Sequence, residues 1–238
     1  MSEALFLQVP HLTEIIVNPF QITGCVEYAY PDVEKYIRKT LNNQDEEKIV
    51  KTRAIFQIAE QGVELSILGK WGLIIWGLET LSDFEKLVIK KSLNKELFED
   101  KPFWSNADLI LGLILTDVKK YENDKDFNAG ILKKSVKSVL NKINMPANIT
   151  KSSFIINNGE ISFAYSGLQE AYFGILEVKP RHKIVPPKSS TRIYSQNNPL
   201  RGIVVCNFDN VAGKKVTRID AGKVLTIEKN FTVQVENF

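Results

Sequence analysis

The last third of the chain, from about Ser153 onward, is a series of short β-rich segments separated by turn residues, and this pattern constrains the fold most. Two such segments flank Asn158-Gly159 in SFIINNGEISFAYS. Both turn residues tolerate positive φ, so the pair predicts a β-hairpin closed by a two-residue type I′ turn. Further strands are predicted at QEAYFGILEV, RGIVVCNF, KKVTRI, VLTIE and FTVQVE, with another turn at Ala221-Gly222.

The first 80 residues combine strand patterns with one helical pattern. Ala4 to Val9 and Glu14 to Val17 are apolar stretches separated by Pro10, which predicts either two strands or one bent strand. Apolar residues at helical spacing predict a helix from Asp32 to Leu41. Runs of β-branched and aromatic residues then predict strands between Ile49 and Trp76.

Three helices are predicted between these strands and the β-rich last third. Ser82 and Glu85 have the spacing of a capping box, so a helix is expected from about Ser82. Ser105 or Asn106 can cap a second helix through Val118. The third contains Leu132, Val136, Val139, Leu140 and Ile143 at helical spacing.

This order of elements predicts an α+β fold rather than regular βαβ units. The 238 residues are expected to form a single domain, residues 1–238, because the only Pro/Ser-rich stretch, Pro180 to Pro199, is better interpreted as a long loop than as a linker. We expect the last third to form one closing sheet.

Composition is that of an ordinary globular protein, with 44% hydrophobic and 25% charged residues. The longest apolar runs are far shorter than the roughly 20 residues that span a bilayer, so no membrane span is expected. The N-terminus does not resemble a signal peptide, which favours a cytoplasmic protein with reduced Cys25 and Cys206. The net charge of +3 gives no strong field, so a nucleic-acid partner is not expected from this value.

Few residues suggest catalytic chemistry. The two histidines, His11 and His182, are too few for a metal cluster or a Ser/His/Asp relay. Gly69, Gly72 and Gly77 lack the spacing of a phosphate-binding loop. We therefore expect neither a metal site nor a cofactor.

Five segments together carry a family resemblance: TRAIFQIAEQG, GKWGLIIWGLETL, WSNADLILGLIL, SFIINNGEISFAY and GIVVCNFDNVAGKKVTRIDAGKVLTIE. In order and spacing they resemble the class II glutamine amidotransferase domain, which has an N-terminal-nucleophile (Ntn) hydrolase fold. The resemblance implies an αββα sandwich of two mainly antiparallel sheets between helix layers. It aligns Arg53 with the arginine of a substrate-binding strand, Gly77 with the glycine of an Asn-Gly turn, and Asn106 to Asp108 with the start of a substrate-binding helix.

The resemblance also shows where the chain departs from the family. Ser2 stands where the family has its N-terminal nucleophilic cysteine, Trp76 stands at the position of the oxyanion-binding asparagine, and Asn106 replaces an aspartate that holds the substrate amino group. If the chain is active, the resemblance implies an amidohydrolase or amidotransferase that uses Ser2, with Arg53 gripping a substrate carboxylate. The substrate-binding candidates are Arg53, Trp76, Gly77, Asn106 and Asp108.

Two functions follow as hypotheses. The first is an amidotransferase-like pseudoenzyme without competent glutaminase activity that binds a small amide or amino-acid ligand or a protein partner. The second is a non-enzymatic, oligomerising assembly protein, such as a virion or tail component, whose β-branched C-terminal segment adds to the sheet of a neighbour.

Overall fold

The computed structural model describes residues 3–18, 25–27, 37–39, 48–59, 62–68, 70–94, 104–121, 127–142, 151–184 and 192–238. The chain divides into two compact units. Unit 1 comprises Met1–Val63 and Glu170–Asp220, and unit 2 comprises Glu64–Gln169 and Ala221–Phe238. The single domain expected from the sequence stays a prediction.

The described residues form sixteen strands and three α-helices. The strands are β1 (Glu3–Asn18), β2 (Cys25–Glu27), β3 (Ile37–Lys39), β4 (Lys48–Ala59), β5 (Val63–Leu68), β6 (Trp71–Trp76), β7 (Ser153–Asn157), β8 (Ser162–Tyr165), β9 (Ala171–Val178), β10 (Arg192–Tyr194), β11 (Leu200–Cys206), β12 (Asn210–Val211), β13 (Lys214–Lys215), β14 (Thr217–Ile219), β15 (Lys223–Ile227) and β16 (Val233–Asn237). The helices are α1 (Asp83–Ser92), α2 (Asn106–Val118) and α3 (Ala129–Lys142).

Unit 1 is built on an eight-stranded sheet in the order β14-β9-β11-β1-β4-β2-β3, with β10 also paired to β1. β1 is one continuous strand whose register against β4 shifts between Gln8 and Thr13. Pro10 lies in this interval, and a proline cannot donate a hydrogen bond to the neighbouring strand. The structure therefore selects the single bent strand over two separate strands.

The predicted helix from Asp32 to Leu41 is wrong at residues 37–39, and its remaining residues, 32–36 and 40–41, lie outside the described part. Ile37 to Lys39 form β3, which pairs antiparallel with β2. Helix propensity is a weak preference that tertiary pairing overrides, and β-branched and aromatic residues in this segment suit a strand equally well.

Unit 2 is built on a six-stranded sheet in the order β16-β15-β8-β7-β6-β5. Its core combines residues of β6, β7 and β8 with residues of α2 and α3. α2 is buried on nearly its whole circumference, as expected of a helix that is hydrophobic all round. The predicted capping box at Ser82 is confirmed, because the Ser82 side chain accepts from the Glu85 N–H and the Glu85 carboxylate accepts from the Ser82 N–H.

The predicted hairpin at Asn158-Gly159 exists, but its two-residue turn is wrong. Asn157 pairs with Ser162, so the loop has four residues, 158–161. Asn158 Oδ1 accepts hydrogen bonds from the backbone N–H groups of Glu160 and Ile161 at 3.0 and 2.8 Å. These side-chain bonds replace those of a tight turn, and only the glycine of the pair has positive φ, +89°.

The last third does not form one closing sheet. β9, β10, β11 and β14 belong to the sheet of unit 1, whereas β7, β8, β15 and β16 belong to the sheet of unit 2. In the stretch from Pro180 to Pro199, the described residues 180–184 and 192–199 include β10 and a bridge between Ile184 and Ile193, so these parts are not a simple loop.

Candidate functional site

The start of α2 holds two of the predicted site residues, Asn106 and Asp108. The segment SNAD begins the helix with a capping box: Asp108 N–H donates to Ser105 Oγ at 3.1 Å, and Ser105 N–H donates to Asp108 Oδ2 at 2.9 Å. These bonds satisfy backbone donors that would otherwise lack partners in the first helical turn.

Asp108 has a further partner on β5. The Ser66 hydroxyl donates to Asp108 Oδ1 at 2.6 Å, and Asp108 is 5% exposed. Both carboxylate oxygens are therefore engaged by the protein in a buried position. Asp108 therefore links β5 to the start of α2 through hydrogen bonds.

Glu64 lies beside Asn106 in the same corner of unit 2. Its Oε1 accepts from Asn106 Nδ2 and its Oε2 accepts from the Ala107 N–H, both at 2.9 Å. A carboxylate is stabilised at a helix N-terminus by the free N–H groups and by the helix dipole. Sequence reasoning missed Glu64; the available signal was the polar pair Glu64 and Ser66 in VELSIL, whose i, i+2 spacing puts both side chains on one face of a strand.

Trp76 and Gly77 occupy the end of β6. The Trp76 side chain is 3% exposed, so it is part of the packed interior. Gly77 has φ of +72°, and a Cβ atom at this residue would lie 2.1 Å from Gln169 Cγ. Only glycine fits here without strain or rearrangement.

The segment opposite Gly77 is fixed by hydrogen bonds. Ser152 Oγ donates to the Gly77 carbonyl oxygen at 3.4 Å. Ser153 Oγ donates to the carbonyl of Gln169 at 2.6 Å and accepts from the Gly167 N–H at 3.0 Å. The turn that contains Gly167 and Gln169 is thereby held against the end of β6.

The structure brings four of the six predicted site residues to one end of unit 2. β5 and β6 are neighbouring strands that follow each other in the chain after a two-residue connection, so the start of β5 lies beside the end of β6. Glu64 and the α2 start therefore lie at the same end as Trp76 and Gly77. Ser2 lies outside the described residues, as does the side chain of Arg53, whose backbone belongs to β4; both roles stay predictions.

In the described ranges, no group of three or more His, Cys, Asp and Glu side chains is placed to hold a metal. None of the helices in those ranges combines the length and the apolar character needed to cross a bilayer.

Comparisons with known proteins bear on the fold. No protein-family model matches the sequence, and no curated protein matches it significantly. Among solved structures, the chain is similar to a glutamine aminotransferase class-II domain protein from Silicibacter pomeroyi, with a TM-score of 0.59, 10% identity and coverage of 100% of this chain and 99% of that chain. It is also similar to a predicted glutamine amidotransferase from Pseudomonas aeruginosa PA01, with a TM-score of 0.60, 12% identity and coverage of 98% and 100%.

At these identities the likeness establishes the fold, and it extends over nearly the full length of both proteins. The described residues contribute two large antiparallel sheets, three helices and a strand-rich C-terminal region, as predicted. The α+β fold class is confirmed, and this chain has the Ntn-type fold of class II glutamine amidotransferase domains.

Proposed function

We propose that the chain is an amidotransferase-like pseudoenzyme that binds a small amino acid or amide without hydrolysing it. The observation that carries the proposal is the burial and hydrogen bonding of the side chains at the start of α2 and at the end of β6. Trp76, which the family resemblance aligns with the oxyanion asparagine, is packed into the interior, while Asp108 is 5% exposed and its carboxylate is bonded to Ser105 and Ser66. Loss of one oxyanion donor typically lowers kcat about 10²- to 10³-fold.

Ser2 in place of cysteine supports the same proposal. A serine hydroxyl is a weaker nucleophile than a cysteine thiol and depends on strong activation by a base. Together with Trp76, Ser2 means that two groups needed for amide hydrolysis, the nucleophile and the oxyanion donor, differ from those of the family.

Glu64 supports binding of a ligand that carries an ammonium group. Each of its carboxylate oxygens accepts one hydrogen bond, from Asn106 and from Ala107, and a carboxylate has about four acceptor sites. Glu64 is also partly exposed. The ammonium group of a free amino acid such as glutamine therefore fits beside Glu64.

The absence of hydrolysis is tested by measuring glutamate and ammonia release from glutamine with purified protein. We expect no turnover above a Ser2→Ala control. Turnover that disappears in Ser2→Ala but persists in Glu236→Gln, a change on β16 at the opposite edge of the unit 2 sheet from β5, would contradict the proposal.

Ligand binding is tested by thermal unfolding with glutamine, asparagine and glutamate in excess. A ligand at about 100 times its Kd adds about 2.7 kcal/mol to the free energy of unfolding, which raises Tm by about 5 °C or more in a chain of this size. We expect Glu64→Gln to reduce this increase, whereas Glu236→Gln, a matched change at an exposed glutamate on β16, leaves it intact. If none of the three ligands raises Tm, the binding proposal fails.

One observation favours the second candidate function, an assembly protein. β16 is an edge strand of the unit 2 sheet, and four of its five residues are exposed. Edge strands offer backbone donors and acceptors to a neighbouring chain. Lys133 Nζ donates to the Asn237 carbonyl, which partly protects this edge. Light scattering on the purified protein tests this candidate. A molar mass equal to that of the monomer at every protein concentration would argue against assembly.

A further inference from the structure

Residues 178–208 are strongly basic although the whole chain is nearly neutral. This stretch of 31 residues contains no Asp or Glu but six basic residues: Lys179, Arg181, Lys183, Lys188, Arg192 and Arg201. The other 207 residues then hold 25 basic and 28 acidic residues. The small net charge thus hides a local concentration of positive charge in the sequence.

Three of these cations lie in one turn directly after β9. Lys179, Arg181 and Lys183 are all exposed, as is His182. The His182 N–H donates to the Lys179 carbonyl at 3.0 Å, and the Arg181 N–H donates to the Ser195 carbonyl at 2.8 Å. The backbone bonds fix the turn, so the charged side chains project from an ordered support.

Two further cations lie beside the end of β9. Arg201 Nη2 is 3.1 Å from Glu177 Oε1, and Lys214 Nζ donates to the Glu177 backbone carbonyl at 2.8 Å. Glu177 and Arg201 are both well exposed, at 59% and 68% for their side chains, so this ion pair is weak. Glu177 offsets one charge among the five cations at this end of β9.

Other features of this surface suit a polar, anionic partner. Gln196, Asn197 and Asn198 are exposed in the same acid-free stretch and can hydrogen-bond to phosphate oxygens and sugars. In its described parts, 178–184 and 192–208, the stretch contains no large exposed hydrophobic side chain, although Ile175, two residues before Glu177 on β9, is 74% exposed, which is why the test includes lipid vesicles.

We propose that the turn 179–183, together with Arg201 and Lys214, binds the phosphate backbone of nucleic acid. We define this set of residues as the basic turn surface. Lysine and arginine bind phosphates by neutralising charge and releasing condensed counterions, which requires no base-specific contact. This inference reverses the expectation drawn from net charge alone, and it is independent of the proposed amino-acid site in unit 2.

The test is fluorescence anisotropy with a labelled 20-base-pair DNA duplex and a labelled single-stranded 30-mer, titrated at several salt concentrations. The variant is Lys179→Gln/Arg181→Gln/Lys183→Gln. The matched control is Lys90→Gln/Lys91→Gln/Lys134→Gln, which removes three exposed positive charges from helices of unit 2. Circular dichroism and Tm verify that both variants fold.

We expect the wild-type protein and the control to bind with a strong dependence on salt. The basic-turn variant should bind at least about tenfold more weakly at 0.1 M salt, with the slope of log K against log salt for the duplex reduced by up to about 2.7, or 0.9 per lost phosphate contact. Equal loss in both variants, or no binding by the wild-type protein, would overturn the proposal. Binding to vesicles of anionic phospholipid without binding to either oligonucleotide would overturn it as well, in favour of a membrane surface.

Discussion

Substituting Gly77 with alanine tests how far the end of β6 depends on backbone geometry. An alanine at φ +72° costs about 1–2 kcal/mol because Cβ approaches the following carbonyl oxygen. The new Cβ would also lie 2.1 Å from Gln169 Cγ, and moving that exposed side chain off its preferred rotamer costs about 0.5–1.5 kcal/mol. Together these give a loss of about 2 kcal/mol, which lowers Tm by about 4–8 °C in a chain of this size.

A second substitution separates the two contributions. Gln169→Ala removes the atom that the new Cβ meets but leaves φ unchanged. The double variant Gly77→Ala/Gln169→Ala should therefore recover about 0.5–1.5 kcal/mol and keep the backbone strain. Gly167→Ala is the contrasting control, since its Cβ would lie 2.2 Å from the backbone oxygen of Ser152, which Gln169→Ala cannot relieve.

Thermal and urea unfolding, followed by circular dichroism, measure these differences. Gly→Ala at a position with ordinary φ stabilises a protein by about 0.4–1 kcal/mol. An unchanged or raised Tm for Gly77→Ala would therefore refute the left-handed geometry. Equal rescue of Gly77→Ala and Gly167→Ala by Gln169→Ala would refute the assignment of the clash to that side chain.

Two further predictions concern buried polar groups. Ser66→Ala leaves the buried Asp108 Oδ1 without its donor, so we expect a loss of about 1–3 kcal/mol; in a double-mutant cycle with Asp108→Asn, measured by urea unfolding, the two losses should not add. Burial raises the pKa of the Cys206 thiol from 9.0 to about 12, so iodoacetamide at pH 8 should modify it only as fast as the protein unfolds. Above pH 9 the thiol ionises in the unfolded chain before it does so in the folded protein, so the free energy of unfolding falls as the pH rises from 9 towards 12 and is unaffected by this group below pH 9. Urea unfolding of the wild-type protein and of Cys206→Ser across this pH range would detect the difference. Rapid labelling of the folded protein would contradict the burial.

Features set by neighbouring residues could be predicted from the sequence. The capping box at Ser82 needs only four consecutive residues and formed as its spacing indicates, and of the two candidate caps of α2, Ser105 and Asn106, the structure uses Ser105. The strands between Ile49 and Trp76 likewise follow from β-branched and aromatic runs.

Features set by distant pairing could not be predicted in the same way. Ile37 to Lys39 pair with β2, and a helical apolar spacing does not contain this information. The division of the last third between two sheets depends on which strand each segment meets, such as β9 with β11 and β15 with β8. Tertiary packing determines which strands pair, so local propensity predicts where the strands are but not which sheet each strand joins.

The same limit applies to the candidate site. Asn106 and Asp108 were predicted from a motif, whereas Glu64 is 42 residues away in sequence and is recognised only through its bonds to Asn106 and Ala107. The spacing of Glu64 and Ser66 places both side chains on one face of β5, but this local pattern does not distinguish Glu64 from a solvated charge.

The residues that carry the family resemblance have structural reasons to be where they are. Gly77 permits the left-handed backbone after β6, Gly159 does so in the loop after β7, and Ser105 and Asp108 cap α2. Each is demanded by the fold, independently of any substrate. By the family resemblance, the nucleophile position Ser2, the oxyanion position Trp76 and the substrate-binding position Asn106 depart from the family, whereas Arg53 does not. Because the departures include the nucleophile and the oxyanion position while the residues that determine the fold remain, we propose binding rather than catalysis.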